Sequence, residues 1–204
     1  MCIRDRLDPT ESPLDGRGIL MDQNGNGTLD QETSSYLATT PVPIDDFTFI
    51  TSALTVSGVI HPVITDVNIR LNITHTYTED LVAYLVHPDG TRIVLFAQVG
   101  GAGENFNDTI FDDQAETSIF AGTAPFTGSF IPFGSLAMLN GKSANGTWML
   151  EVGDFTFKDV GTLNNWELTL TTSEVVLSTD SLGRAVTDLA PVLMTCFFCQ
   201  PMDG

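Results

Sequence analysis

Five oxygen-bearing residues at alternate positions, Asp22, Asn24, Asn26, Thr28 and Asp30 in "DQNGNGTLD", are the first place in this chain where residue types and spacing point to chemistry. A hard divalent cation gathers about six to eight oxygens, and a tight loop supplies them from alternate residues. Gly27 stands where an EF-hand-type loop turns sharply, and Thr28 offers its carbonyl. The pattern departs from that loop at its end, because Thr33 occupies the place of the bidentate Glu and Glu32 falls one position early. No flanking helix is evident. Calcium binding therefore stands against the plainer reading of a solvated, turn-rich linker.

A second acidic group, Glu104, Asn105, Asp108, Asp112 and Asp113, lies in a stretch with no Lys or Arg between Arg92 and Lys142. Carboxylates crowded without a basic partner either share a cation or raise one another's pKa. Asp112 and Asp113 can instead cap backbone N–H groups, and the residues favour that structural role. Asp154 and Asp159 read as turn residues, since Asp bonds readily to its own backbone in turns.

Nucleophilic catalysis would need a base within reach of a Ser or Cys and an acid to orient that base. His61, His75 and His87 fall at strand ends and turns, and each reads as a surface or turn residue. No G-x-S-x-G elbow and no H-E-x-x-H is present. Cys196 and Cys199 have the spacing of half a zinc knuckle or a redox pair, but no second pair completes it.

Twenty-six acidic residues against eight Lys and Arg give a net charge of −18. That balance excludes nucleic acid, whose phosphates demand clustered cations, and anionic membrane surfaces. No run of apolar residues is long enough to span a bilayer. The opening "MCIRDRLDPTESPLDG" lacks the apolar segment of a signal peptide, so the chain reads as an internal piece of a longer secreted protein. Residues 1–6 read as a sequencing or assembly artefact, and the apolar residues of "MTCFFCQPMDG" in the tail 190–204 as a truncated strand or frame-shifted sequence. Asn26, Asn72, Asn107 and Asn145 each begin an N-x-Ser/Thr triplet, which matters only in a eukaryotic secretory pathway.

The elements that must position these residues are strands. "ITDVNIRLNIT" (64–74) alternates Val67, Ile69, Leu71 and Ile73 with polar residues, a period of two that buries one face. "LTVSGVI" (54–60) reads as another strand, and "DLVAYLVHPDGTRIVLF" (80–96) as two strands about a Pro88-Asp89-Gly90 turn. Residues 100–146 read as a long irregular stretch in which Phe106, Phe111, Phe126, Phe130 and Phe133 tuck in to cover a sandwich edge. Trp148, Leu150 and Val152 share one strand face, and Trp166, Leu168 and Leu170 another. Each indole removes about 150–250 Å² from water, so this final pair of strands should sit in the middle of a sheet and close the core.

Three segments follow: a flexible 1–46 with the acidic loop and a Pro-rich extended linker, a β-sandwich over 47–172, and a linker or truncated further module over 173–204.

The blocks "DLVAYLVHPDGTRIVLF", "NFNDTIFDD", "APFTGSFIP", "NGTWMLEVGD" and "GTLNNWELTL", in that order, resemble the P domain, or Homo B domain, of subtilisin-like proprotein convertases such as kexin and furin. The likeness looks closest to the bacterial versions and runs from about residue 50 to 172. It implies an all-β jelly-roll sandwich of about eight strands. It also implies a non-catalytic partner to a serine endopeptidase domain of the same polypeptide, helping that domain fold and stay folded for proteolysis. No catalytic residue carries over. The expected setting is secreted or cell-surface and bacterial, with calcium as the one cofactor in view. The alternative is an adhesion or ligand-binding module of a bacterial surface protein with no protease attached.

Overall fold

The computed structural model describes residues 31–173 and, beyond them, the short stretches 178–179 and 185–186. The chain divides into two compact units, and residues 21–175 hold the sandwich. In the other unit the described elements are β11 (Ser178–Thr179) and β12 (Ala185–Val186), an antiparallel pair.

The sandwich has ten strands in two sheets and is a jelly-roll-type, all-β fold. One sheet orders β1 (Gln31–Ala38), β10 (Gly161–Ser173), β4 (Val63–His75), β7 (Phe106–Phe111) and β8 (Phe126–Phe130), with β2 (Val42–Ile44) also paired to β10. The other orders β3 (Phe49–Val56), β9 (Gly146–Asp154), β5 (Leu81–Val86) and β6 (Arg92–Ala97). Neighbouring strands run antiparallel except β7 and β8, which are parallel.

The alternation in β4 is realised in the fold: Val67, Ile69, Leu71 and Ile73 are buried and the residues between them face outward. In β10, Leu163 and Trp166 are both buried although three positions apart. A register shift between Leu163 and Asn165 absorbs the extra residue and returns both side chains to the core face.

Both indoles are fully buried, as their strand patterns require, but β9 and β10 do not pair with each other. They occupy interior positions of opposite sheets. The connecting loop 155–160 crosses from one layer to the other, so Trp148 and Trp166 enter the core from its two sides. Each N–H is satisfied: Trp148 Nε1 donates to the Ala144 carbonyl at 2.9 Å and Trp166 Nε1 to Ser52 Oγ at 2.9 Å. Leu54, Leu85, Phe96 and Leu139 are among the other core members.

Two sequence expectations change here. The stretch taken as an extended linker forms β1 and β2, because its polar residues line a sheet edge on β10: Thr33 and Ser35 meet Thr171 and Thr169 side chain to side chain at 3.0 and 2.8 Å. The stretch expected to be irregular, 100–146, contributes β7 and β8. Phe106, Phe111, Phe126 and Phe130 are buried there, with Phe106 stacked on Phe96 at 4.3 Å and on Phe126 at 4.8 Å. Phe133 differs: it is exposed and packs edge-on against Phe120.

Candidate functional site

The N-terminal loop Asp22, Asn24, Asn26, Thr28 and Asp30 lies outside the described residues, as do Cys196 and Cys199. The second acidic group is described, and its members face separate partners. Asp108 adopts a positive φ of 46° on β7; its N–H donates to Asn72 Oδ1 (2.8 Å) and its Oδ1 accepts from Asn72 Nδ2 (3.0 Å). Asp112 Oδ1 accepts from Gln114 N at 2.7 Å. Asp113 caps the 3-10 turn Leu136–Leu139, accepting from Ser135 Oγ and from the N–H groups of Leu136 and Ala137 at 2.7–3.0 Å. Asn105 Oδ1 accepts from His75 N at 3.0 Å, while Glu104 is exposed. Among the described residues no three His, Cys, Asp or Glu side chains are grouped to hold a metal ion.

Asp112 and Asp113 still act on a neighbour. Burial first, and then the Asp112 carboxylate, push the Asp66 carboxyl above its ordinary range.

Two of the three histidines, His75 and His87, correct the surface reading. His75 ends β4 and is buried; its Nε2 donates to Asp154 Oδ2 at 3.0 Å, and its Nδ1 lies 2.9 Å from the Tyr77 carbonyl and 3.2 Å from the Tyr77 N–H. Asp154, equally buried, closes a turn by accepting from Thr156 N at 2.8 Å through its other oxygen. The pair resembles the acid–base half of a triad, yet both ring nitrogens are engaged inside the protein. Its work is structural: it ties the end of β4 to the end of β9 across the two layers. His87 is buried against Trp148, edge to face at 4.8 Å, and its Nε2 donates to the Ser143 carbonyl at 3.0 Å. Beside it, Lys142 Nζ meets Asp89 Oδ2 at 2.6 Å. That ammonium, followed by the Thr91 donors, holds the Asp89 carboxyl far below the usual carboxylate range.

Above the His75–Asp154 pair opens a cleft of about 340 Å³ lined by Tyr77, Glu79, Asp80, Gln98, Thr156 and Asp159. Asp80 closes the 3-10 turn Thr78–Asp80 and is 5% exposed. Its Oδ2 and the Thr78 Oγ1 are buried without a hydrogen-bond partner. Asp159 accepts from Thr76 Oγ1 at 2.8 Å. Sequence reasoning missed Tyr77, Asp80 and Gln98, since three separate segments supply the lining and no spacing reveals them. The acidic pair Glu79–Asp80 just ahead of the apolar β5 was the signal available.

The same end of the sandwich carries exposed apolar side chains: Phe47, Phe49, Phe155, Phe157 and Val160. Phe49 and Phe155 meet edge-on at 5.3 Å. Asp154 N–H bonds to the Thr48 carbonyl and Lys158 N–H to Asp46 Oδ2, which joins the two segments bearing these residues.

Comparison with known proteins places residues 64–170 in the family described as the proprotein convertase P-domain. Leupeptin-inactivating enzyme 1 of Streptomyces exfoliatus is 31% identical over 147 residues, covering 71% of this chain and 28% of that enzyme. The crystal structure of Aeromonas sobria serine protease in complex with its chaperone superposes with a TM-score of 0.50 at 18% identity, over 74% of this chain and 28% of that one. At that identity the likeness shows the fold alone. The chain spans little more than a quarter of either protein. Among the described residues no helix is long and apolar enough to cross a membrane.

Proposed function

This chain belongs to the proprotein convertase P-domain family, and we propose on that premise that it is a non-catalytic accessory domain of a secreted bacterial enzyme. It packs against and stabilises a subtilisin-like serine endopeptidase domain of the same polypeptide. The observation that carries the reading is the family match itself, seated on a sandwich whose one end displays Phe47, Phe49, Phe155, Phe157 and Val160. Contiguous exposed aromatics are a poor choice for a free surface and a good one for a face that another domain covers. In the two relatives above, about three quarters of the polypeptide lies outside the matched region, which leaves ample chain for such a neighbour.

The test is the complete open reading frame, expressed with and without residues 31–173. Loss of soluble, active enzyme on deletion is the expected result. Phe155→Ser with Phe157→Ser should lower the melting temperature of the catalytic domain and leave the isolated P domain nearly unchanged. Equal yield and equal melting of the neighbour in both experiments would overturn the proposal. An upstream sequence of repeats or lectin-like domains without a protease would install the adhesion module in its place.

A further inference from the structure

We propose that Lys158 is the specificity anchor of the aromatic end of the sandwich: its ammonium pairs with a carboxylate that the neighbouring domain carries within its own apolar docking face. The inference rests on the accessory-domain reading and adds to it the chemistry of the partner surface.

Three observations meet in the 155–160 loop. The first is an uncommitted charge. Among the described residues the Lys and Arg side chains are Arg70, Arg92, Lys142 and Lys158. Arg70 meets Glu167 and Asp108, Arg92 meets Glu151 and lies over the Tyr84 ring, and Lys142 meets Asp89. Lys158 alone of these four has no acidic partner among the described residues. In a chain of net charge −18, with carboxylates in such excess, that is a departure from the rule the other three follow.

The second observation is where this charge stands. Phe155, Phe157 and Val160 flank it in sequence and are exposed, as are Phe47 and Phe49 on the segment bonded to the loop. A lysine set among apolar side chains loses water when a partner covers them, and an ammonium left unpaired there opposes docking. The partner that fits must therefore bring an acid, and a surface without one is rejected. A second copy of this chain is a poor occupant, because two bodies of charge −18 repel each other.

The third observation is strain. Lys158 has φ +98° and Phe47 φ +55°, in the left-handed region that side chains avoid and glycine adopts readily. The two are tied together, since Lys158 N donates at 3.1 Å to Oδ2 of Asp46, the residue before Phe47. Each segment is also held from its other side. Thr48 N and Oγ1 donate to the Asp45 carbonyl at 3.2 and 2.6 Å. Phe155 N donates to the Asp80 carbonyl at 3.0 Å, and Asp159 accepts from Thr76 Oγ1 at 2.8 Å. Backbone strain persists only where the surroundings impose it, and it gathers at sites that bind. Here it fixes the backbone that presents Lys158 before the partner arrives, which lowers the ordering cost of docking.

The experiment uses the complete open reading frame and a carbodiimide, which joins an ammonium and a carboxylate in contact as an amide and takes up the water as its urea. Lys142 and Asp89, 2.6 Å apart, are the internal control. Mass spectrometry should find Lys158 joined to an Asp or Glu outside residues 31–173. Lys158→Gln should speed thermal inactivation of the full-length protein about tenfold, the scale of one charge-assisted hydrogen bond. Lys158→Arg should restore most of that loss. In the isolated 204-residue chain, Lys158→Gly should raise the melting temperature by about 3 °C by relieving strain, yet weaken the full-length protein as Lys158→Gln does. A merely structural loop residue would move both in the same direction. Lys158 cross-linked only within residues 31–173, or not at all while the control forms, overturns the anchor, as does Lys158→Gln inactivating at the wild-type rate. Should Phe155→Ser with Phe157→Ser still lower the neighbour's melting temperature in that event, the anchor alone falls. Should neither change matter, the accessory-domain reading falls with it.

Discussion

Replacing Asp154 by Ala should expose how much of the sandwich depends on one buried polar link. The substitution removes the acceptor for His75 Nε2–H, held at 3.0 Å, and the acceptor for Thr156 N–H at 2.8 Å. His75 is 1% exposed, so water cannot replace the lost partner without opening the strand ends. An orphaned buried donor costs about 1–3 kcal/mol and a lost turn bond about 0.5–1.5, or roughly 2–4 kcal/mol together. For a domain of this size 1 kcal/mol moves the melting temperature by about 3–4 °C, which gives a fall of about 6–16 °C. The assay is thermal and urea unfolding of wild type, Asp154→Ala, His75→Ala and the double variant. Because each single change strands the other partner, the double should be less damaging than the sum by about 1–3 kcal/mol. Additivity within about 0.5 kcal/mol would refute the claim that the two side chains act as a pair.

Gly161→Ala should destabilise by about 1–3 kcal/mol, read as a lower urea midpoint, because the new Cβ would sit 2.3 Å from the Thr74 carbonyl oxygen, a backbone atom in the adjacent strand. Gly153→Ala should cost clearly less, since its obstacle is the half-exposed Phe49 ring, which can swing aside; equal losses would contradict this contrast. Asp66→Asn should stabilise at pH 7 by about half a kcal/mol, the scale of substitutions away from the core. The sign follows from the raised Asp66 pKa: between the ordinary value of 3.8 and its higher folded value the fold binds more protons than the unfolded chain, so stability falls as pH rises through that window. The advantage of Asn should therefore vanish below pH 3.8, and urea unfolding across that range that showed no such convergence would count against it.

The strands were legible wherever a period of two ran unbroken. β4 and the β5–β6 hairpin follow from alternation and from Pro88-Asp89-Gly90, where Gly90 takes φ +89° as the turn demands. The family resemblance also rested on local blocks, and the matched region 64–170 lies within the span of about 50–172 over which the likeness runs. What escaped was pairing at a distance. β1 carries Thr, Ser and Glu, with few apolar residues, so nothing within it announces a strand; its order comes from lying on β10. The placing of β9 and β10 in opposite sheets was equally hidden, because two consecutive amphipathic runs read the same whether they pair or cross the core.

The polar sites follow the same logic more severely. His75, Tyr77, Asp80, Asp154 and Asp159 come from two segments about seventy to eighty residues apart, and the β5–β9 register that sets Leu81 opposite Asp154 brings them together. Local spacing favoured the 22–30 loop because its oxygens alternate in sequence, whereas polar side chains brought together from two strand ends leave no such trace. Burial is the discriminating quantity. Asp108, Asp112 and Asp113 have carboxylate oxygens met by amide, backbone or hydroxyl donors. Asp80 is more deeply buried than any of these and has an oxygen left over. An acidic residue in a strongly anionic chain is unremarkable by itself; one buried with a carboxylate oxygen unsatisfied cannot be read from local spacing, because its burial is set by the pairing of distant strands.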